Sequence, residues 1–298
     1  MVIDKLEFLL ALARERHFGR AAESCGVTQP TLSASIKQLE DSFGILLVNR
    51  GSRFQDFTAE GERALEWARR IVGDSRAMRE DILALKHGLS GRLRIAAIPA
   101  ALAMIETLTT PYRERHPAVQ FTLLSCNAED IFRLLENLEI DAGMTYLDSD
   151  LPGRFTALPL YRERYRLLTA ADAPLGDRDK VTWAEVAKLP LCLLTPDSQS
   201  RRIIDGLLRD AGGDPQPALE SNSMIVLYSH VRTGRWATVM PARLAATLGL
   251  TSVLRAIPIV EPEKSYTIGL VMLSRQPMKP LTAALVAETQ RAAQLLAD

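Results

Sequence analysis

The chain is 298 residues long, which allows two or three domains, and its 47% hydrophobic and 24% charged residues are the balance of a folded globular protein. This composition excludes disordered, collagen-like and purely coiled-coil proteins. The 36 basic and 36 acidic residues give a net charge of zero, so any DNA binding must come from the local placement of charge.

What the sequence lacks predicts a cytoplasmic protein without a membrane partner. The N-terminus has no signal-peptide layout, and apolar runs such as Ile268 to Leu273 are far shorter than the roughly 18 residues that a membrane helix needs. Cys25, Cys126 and Cys192 lie far apart without a CxxC pair, which indicates neither a disulfide framework nor a zinc site.

The first residues predict two helices. The stretch from Leu6 to Ala13 is strongly apolar and predicts the first. Four residues then follow at spacings that place them on one side of a short second helix: Phe18, Ala21, Ala22 and Cys25. Gly26 supplies the stop for this helix.

A third helix is predicted directly after this stop. Thr28 is placed to cap its first turn, and Pro30 lies in that turn, where its missing N–H costs nothing. Leu32, Ile36 and Leu39 recur at i, i+4 and i+7 and predict a buried stripe. The opposite face carries small or hydrogen-bonding side chains: Pro30, Thr31, Ser33, Ala34, Lys37 and Gln38.

This polar face has two interpretations. A helix whose leading side chains are short can enter the major groove of DNA, where Gln and Lys side chains reach base edges and phosphates. The alternative is an ordinary solvated helix face. The order of elements favours DNA binding, because a segment typical of a short hairpin wing with basic residues follows: Gly44 to Arg50, then Arg53, Thr58 and Gly61.

These elements together resemble the LysR-type transcriptional regulators over about sixty residues. The residues that carry the resemblance are Phe18, Ala21, Ala22, Val27 to Ser33, Ile36, Leu39, Glu40, Gly44, Leu46, Leu47, Asn49, Arg50, Thr58 and Gly61. It implies that the third helix reads DNA and that the wing contacts the DNA backbone. The DNA-binding candidates are therefore Thr28, Gln29, Pro30, Thr31, Ser33, Ala34, Lys37, Gln38, Arg50 and Arg53. Ala34, where the family commonly has a longer polar side chain, and Cys25, in place of an aliphatic residue, depart from the family pattern.

The resemblance also implies partners and a location. A homodimer or homotetramer would bind a pseudo-palindromic operator on double-stranded DNA in the nucleoid, with RNA polymerase as a further candidate partner. A small-molecule effector would control it, and no cofactor is implied.

A long connecting helix is predicted between Gly61 and Gly88, where no proline occurs. Small or apolar residues step along it by four and three: Ala64, Ala68, Ile71, Ser75, Met78, Ile82 and Leu85. This heptad spacing predicts a coiled-coil seam between two copies of the chain. The dimerisation residues assigned from it are Ala68, Ile71, Met78, Ile82 and Leu85. The alternative is a helix packed on its own domain.

The remaining two hundred residues alternate between predicted strands and helices, which predicts a mostly parallel sheet in each of two lobes joined by two crossings. The predicted fold is α+β and multidomain. Its parts are a winged helix-turn-helix domain at residues 1–60, a linker helix at 61–89 and a two-lobed α/β effector-binding domain at 90–298 that resembles periplasmic binding proteins. Lobe I covers about 91–161 and 266–298, and lobe II covers about 162–265.

The two lobes are expected to enclose a ligand cleft, because ligands of open α/β sheets lie beyond the carboxyl ends of the strands. The effector-binding candidates at these junctions are Pro99, Ala100, Ala101, Thr145, Thr195, Ser198, Gln199, Arg202 and Asn222. Helix N-termini that converge on the cleft predict a small anionic effector, with Arg201 or Arg202 as a further contact. Helix capping is the alternative role for Thr195 to Ser198 and for Ser221 to Ser223.

Three rival functions remain open. An enzyme is not favoured, because no Ser/His/Asp set or glycine-rich phosphate loop occurs and the histidines are scattered, at His17, His87, His116 and His230. A solute-binding protein fits the two-lobed half but not the helical head. A thiol-based redox regulator would use Cys126 and Cys192, which are split between the lobes, whereas peroxide-sensing members of the family keep two cysteines close in the second lobe.

Overall fold

The computed structural model describes residues 2–50, 54–148, 151–250, 252–274 and 276–297, without the side chains of Arg50, His87 and Ala297. The chain divides into two compact units. Unit 1 comprises Met1–Gly88, Glu136–Glu139 and Pro277–Pro280, and unit 2 comprises Leu89–Leu135, Ile140–Gln276 and Leu281–Asp298. Within the described ranges, no helix is both long enough and apolar enough to cross a membrane.

Unit 1 has the predicted order of three helices, a hairpin and a long helix. The elements are α1 Val2–Glu15, α2 Phe18–Ser24, α3 Gln29–Phe43, β1 Val48–Arg50, β2 Phe54–Phe57 and α4 Ala59–His87. Strands β1 and β2 pair antiparallel and form the wing. The predicted winged helix-turn-helix is therefore confirmed.

Helix α3 begins where its sequence predicts, but Gly44, which was assigned to the wing, is the residue that ends it. The Thr28 side chain accepts a hydrogen bond from the Thr31 amide at 3.4 Å, and Pro30 lies in the first turn. Gly44 ends the helix with a φ of +67°, a left-handed conformation that favours glycine.

The core of unit 1 buries the apolar stripe of α3 among the other helices and the wing. Its largest contributors are Leu6, Leu9, Leu12, Leu32, Ile36, Leu39, Leu47, Val48, Leu65 and Val72. Burial of such a side chain stabilises a fold by about 1.5 to 3 kcal/mol. This cluster therefore fixes which face of α3 is left exposed.

Unit 2 alternates between strands and helices. In chain order they are β3 Gly91–Ala97, a 3₁₀ turn at Leu102–Met104, α5 Glu106–Arg115, β4 Val119–Ser125, α6 Ala128–Glu136, β5 Ala142–Tyr146, β6 Phe155–Glu163, β7 Tyr165–Ala170, β8 Val181–Thr182, α7 Trp183–Val186, β9 Cys192–Leu194, α8 Gln199–Asp210, β10 Leu219–Ser221, α9 Met224–Val231, β11 Thr238–Pro241, α10 Ala242–Thr247, β12 Leu254–Val260, β13 Tyr266–Leu273 and α11 Pro280–Ala297.

The strands form two lobes. The sheet of the first lobe has the order β4-β3-β5-β13-β6, and the second lobe has a sheet of order β11-β7-β12-β8 and a β9-β10 pair. The chain passes between the lobes twice, after β6 and after β12, as the sequence predicts. These two crossings are the connections about which the lobes can bend.

The sheets are mixed, so the expectation of mostly parallel sheets is wrong. Strands β3, β4 and β5 are parallel, but β13 runs antiparallel to β5 and β6, and β7 runs antiparallel to β11 and β12. The alternation pattern does not predict β6 or β12, because Pro159 and Pro258 lie within them and proline argues against a central strand.

Candidate functional site

The predicted DNA-binding residues of α3 lie on the face opposite the core of unit 1. The exposed ones are Thr28, Gln29, Pro30, Thr31, Ala34, Lys37 and Gln38, and Ser33 is partly buried. The hydroxyls of Thr28 and Thr31 are 2.8 Å apart, so the start of the helix is short-chained and compact. This shape suits insertion into a major groove. Contact of these residues with DNA stays a prediction.

A buried carboxylate anchors the wing to α3. The Oε1 atom of Glu40 accepts hydrogen bonds from the Leu47 amide at 3.0 Å and the Val48 amide at 3.2 Å. These two hydrogen bonds fix the wing relative to α3. Sequence reasoning missed this role, because an acidic residue near a helix end is usually solvated.

The joint between the wing and α4 depends on a close backbone contact. A Cβ on Gly61 would lie 2.0 Å from the carbonyl oxygen of Leu47, so only glycine fits here. Thr58 caps α4 by accepting a hydrogen bond from the Gly61 amide at 2.9 Å. The wing candidates themselves are not settled, because Arg53 and the side chain of Arg50 lie outside the described residues.

An exposed apolar stripe runs along α4, and it differs from the predicted seam at one residue. Ala68 was expected in the seam but is fully buried in the core of unit 1, next to Leu65 and Val72. The exposed stripe consists of Trp67, Ile71, Met78, Ile82 and Leu85. At 100° per residue these five lie within about 60° of arc, whereas Ala68 lies about 100° from Trp67. Trp67 therefore takes the place predicted for Ala68.

A cavity of about 700 Å³ opens between the two lobes of unit 2. Residues of the first lobe that line it are Ile98, Pro99, Ala100, Leu102, Ser125, Cys126, Asn127 and Asp130. Residues of the second lobe that line it are Leu194, Thr195, Asp197, Ser198, Gln199, Ser200, Asn222, Ser223, Met224, Ile225, Leu244 and Leu248. The volume is that of a site for a small molecule.

The structure brings most of the predicted effector residues together at this cavity. Those that line it are Pro99, Ala100, Thr195, Ser198, Gln199 and Asn222. They come from the ends of β3, β9 and β10, as expected for ligands beyond the carboxyl ends of strands. Sequence reasoning missed the junction after β4, at Ser125 to Asn127, although the same strand-end rule applies there.

Three of the predicted effector residues do not line the cavity. Ala101 closes a turn with its amide on the Ile98 carbonyl at 2.9 Å and is fully buried. Thr145 is fully buried in β5, a central strand whose five residues are all buried, and it lies outside the lining. Arg202 donates to the Asp197 carbonyl at 3.0 Å and so fixes its own loop.

Arg201, the other predicted cationic contact, is also engaged elsewhere. Its guanidinium is buried and donates to Asp205 at 2.7 Å, to Glu220 at 2.7 Å and to the Leu194 carbonyl at 2.6 Å. These contacts tie α8 to β9 and β10. Arg201 is therefore held away from the cavity, whereas contact of the exposed Arg202 with an effector stays a prediction.

Polar contacts join the two walls of the cavity. The Asn127 amide of the first lobe donates to Asp197 of the second at 3.5 Å. A hydrogen bond from the Thr195 side chain holds the pKa of the Asp197 carboxyl below its ordinary value. Burial, and then the negative charge of Asp130, raise the pKa of the Cys126 thiol.

A buried hydroxyl chain leads from the cavity to the contact between the lobes. Ser200 lines the cavity, and its hydroxyl lies 3.2 Å from that of Tyr165 on β7. The Tyr165 hydroxyl lies 2.8 Å from that of Tyr146 on β5 of the first lobe. The Tyr165 side chain therefore connects Ser200 to the hydrogen bond between Tyr165 and Tyr146, which joins the two lobes.

The comparisons with known proteins match both parts of the chain. The description "Bacterial regulatory helix-turn-helix protein, lysR family" matches residues 3–62, and "LysR substrate binding domain" matches residues 86–294. The DNA-binding transcriptional dual regulator OxyR of Escherichia coli is 30% identical over 94% of this chain and 92% of its own length.

Two solved structures share the fold along most of the chain. A full-length OxyR variant from Pseudomonas aeruginosa gives a TM-score of 0.77 at 24% identity, and the match covers 97% of each chain. Full-length CbnR in complex with its target DNA gives a TM-score of 0.63 at 21% identity and covers 98% of this chain and all of its own.

The exposed recognition helix, the wing and the two-lobed unit define a DNA-binding transcriptional regulator. The chain belongs to the LysR family of transcriptional regulators.

Proposed function

We propose that a small effector bound in the cavity between the lobes controls DNA binding by this LysR-type regulator. The observation that carries the proposal is the lining itself, to which both lobes contribute polar and apolar side chains. A ligand that touches both walls favours one lobe angle over another, and only such a difference in affinity shifts a conformational equilibrium. We propose that the cavity binds its ligand and leaves it chemically unchanged.

The division of labour that we propose follows the predicted domains. Residues 1–60 bind the operator, residues 61–89 pair two copies, and residues 90–298 bind the effector. Pairing through the stripe on α4 would place two recognition helices about a two-fold axis, which matches a pseudo-palindromic site. Such a protein works on chromosomal DNA, hence in the cytoplasm.

Thiol-based redox sensing is the second candidate, and the name of a relative from Dickeya chrysanthemi, "Hydrogen peroxide-inducible genes activator", favours it. The thiol environments favour it less. Cys192 is fully buried, and burial raises the pKa of its thiol to about 11, while the pKa of Cys126 is also raised. A raised pKa lowers the fraction of the reactive thiolate. Thiol titration and operator binding before and after mild peroxide discriminate between the two candidates.

Calorimetry tests the effector cavity. In a panel of small carboxylates and matched amines, Ser198→Ala should weaken the binding of a true effector by about 0.5 to 1.5 kcal/mol, the value of one hydrogen bond. Thr145→Val is the matched control, because it removes a fully buried hydroxyl that lies outside the lining. An effector that shifts operator binding but binds Ser198→Ala and Thr145→Val equally well would contradict this site.

A further inference from the structure

We infer that His17, which directly precedes α2, contacts the DNA backbone by donating a hydrogen bond from its Nε2–H group to a phosphate beside Gln29. The inference rests on the proposed role of residues 1–60 in operator binding. It adds a residue to the DNA-binding candidates, none of which lies at α2.

The hydrogen bonds of His17 determine which ring nitrogen carries the proton. Its Nδ1 atom accepts hydrogen bonds from the Gly19 amide at 3.1 Å and the Arg20 amide at 3.3 Å, and in this way it caps α2. A ring nitrogen that accepts hydrogen bonds carries no proton, so the imidazole is neutral and holds its proton on Nε2. His17 is exposed, and within the described ranges of the chain its Nε2–H group has no acceptor. This group is therefore available to DNA.

Gly19 leaves room for His17 and Gln29 to lie side by side. A Cβ on Gly19 would be 3.0 Å from the Cε1 atom of His17 and 3.5 Å from the Oε1 atom of Gln29. The ring and the amide thus lie beside the same point of unit 1, on the exposed side where α2 and α3 begin. His17 therefore belongs to the same surface as the predicted base reader.

The usual docking of a helix-turn-helix places this surface on DNA. The second helix of the motif enters the major groove with its N-terminal residues at base edges, while the first helix crosses the backbone. The first and second helices are α2 and α3 here, and Gln29 is the first residue of α3. With Gln29 at a base edge, a donor beside it at the start of α2 faces the phosphates that border the groove.

Capping of α2 is the alternative role for His17, and by itself it does not account for an imidazole. Serine, threonine, aspartate and asparagine cap helices with shorter side chains. What an imidazole adds is a second nitrogen with its own proton, on the far side of the ring from the cap. Because Nδ1 already binds the amides of Gly19 and Arg20, the proposed contact is made by the side chain and not by the end of the helix.

The charges near the start of α2 do not oppose this contact. Glu15 pairs with Arg14 at 3.0 Å and with Arg20 at 3.7 Å, and Arg16 is exposed. Three cations and one anion leave this segment with a net positive charge, so these side chains do not repel a phosphate. The inference depends on the hydrogen-bond donor and not on this charge.

A cap-preserving substitution tests the contact. His17→Ser keeps a side-chain oxygen that caps α2, but its hydroxyl is too short to reach the position of Nε2. The measurement is binding to a short duplex of random sequence, because a phosphate contact carries no sequence information. We expect His17→Ser to bind this duplex about two- to tenfold more weakly, the range for one hydrogen bond, with unfolding by urea unchanged. His230→Ser, in unit 2, is the matched control and should bind like the wild type.

The salt dependence separates His17 from a cationic contact. A neutral donor releases no counterion, so His17→Ser should leave the slope of log affinity against log salt unchanged. Arg53→Ala, which removes the proposed wing cation, should lower the same slope by about one. An affinity of His17→Ser equal to that of the wild type would overturn the inference. A slope lowered as in Arg53→Ala would do so too, because the ring would then bind as a cation.

Nitrogen NMR spectra of the histidine rings provide a readout that capping alone would not move. In the full-length protein labelled at histidine, the free His17 ring should carry its proton on Nε2. Addition of the random duplex should shift the Nε2 resonance more than the Nδ1 resonance, with His116 and His230 of unit 2 as internal references. A proton on Nδ1, or an Nε2 resonance that does not move in the complex, would overturn the inference.

The same titrations separate this inference from the proposed function. If the wild type and His17→Ser bind the random duplex equally while Arg53→Ala binds it more weakly, the DNA-binding role of residues 1–60 stands and only the role of His17 fails. If the wild type binds neither the random duplex nor any site mapped in the genome, the proposed function fails as well.

Discussion

Gln29 leads the exposed face of α3, and its side chain can pair with a base edge. Gln29→Ala should lower operator affinity by about 1 to 3 kcal/mol and relax the choice of base at one position, as measured by competition with operator variants. Arg53→Ala is the contrast, because a wing cation that contacts phosphate should weaken all sequences alike and flatten the salt dependence. Unchanged relative affinities in Gln29→Ala would rule out the assignment of base readout.

Glu163 connects pH to stability at the crossing after β6. It is fully buried, and its Oε1 accepts hydrogen bonds from the amides of Arg164 and Ala242 at 3.0 Å and of Arg243 at 3.4 Å. Burial raises its pKa to about 7 despite these hydrogen bonds.

The direction of the pH effect follows from linkage. Because the folded state binds this proton more tightly than the unfolded state, the stabilising contribution is complete below pH 4.5 and is lost as the pH rises through 7. Glu163→Gln lacks this step, so the free energy of unfolding of the wild type should fall relative to the variant by up to about 3 kcal/mol between pH 5 and pH 8. The same difference in free energy of unfolding between the wild type and Glu163→Gln at pH 5 and at pH 8, measured by urea unfolding, would refute this prediction.

At the scale of the element, the stripe on α4 should hold the dimer. Ile71→Asp would place an unpaired charge in the seam and should dissociate the dimer in sedimentation experiments. Leu83→Asp is the matched control, because Leu83 is equally apolar and exposed but lies about 100° from Ile82, off the stripe. Dissociation by both variants, or by neither, would place the dimer contact elsewhere.

Heptad spacing predicted the helix and most of its stripe, but it could not distinguish Ala68 from Trp67. Ala68 fits the steps of four and three, and its burial depends on where α1 packs on α4, a long-range contact that spacing does not show. In the same way, the strand-end rule found the junctions after β3, β9 and β10. It failed for Thr145, because the face of a strand that borders a cavity depends on the neighbouring lobe.

At the scale of the whole molecule, signals within short stretches of sequence predicted the exposed face of α3 in unit 1, but they did not predict all of the cavity lining in unit 2. The caps and apolar period of α3 are encoded between Thr28 and Gly44, so its exposed face was predictable. The engagement of Arg201 with Asp205 and Glu220 requires α8, β9 and β10 to be packed first. The sequence therefore could not show that Arg201 is held away from the cavity.

Genome-wide mapping of bound sites tests the central claim, that two α3 helices of one dimer read the operator. Two recognition helices related by a two-fold axis require two half-sites in inverted orientation, with centres about one helical turn of DNA, or a multiple of it, apart. We expect the bound sites to share such an inverted repeat. A common motif without inverted symmetry, or binding spread without a common motif, would contradict it.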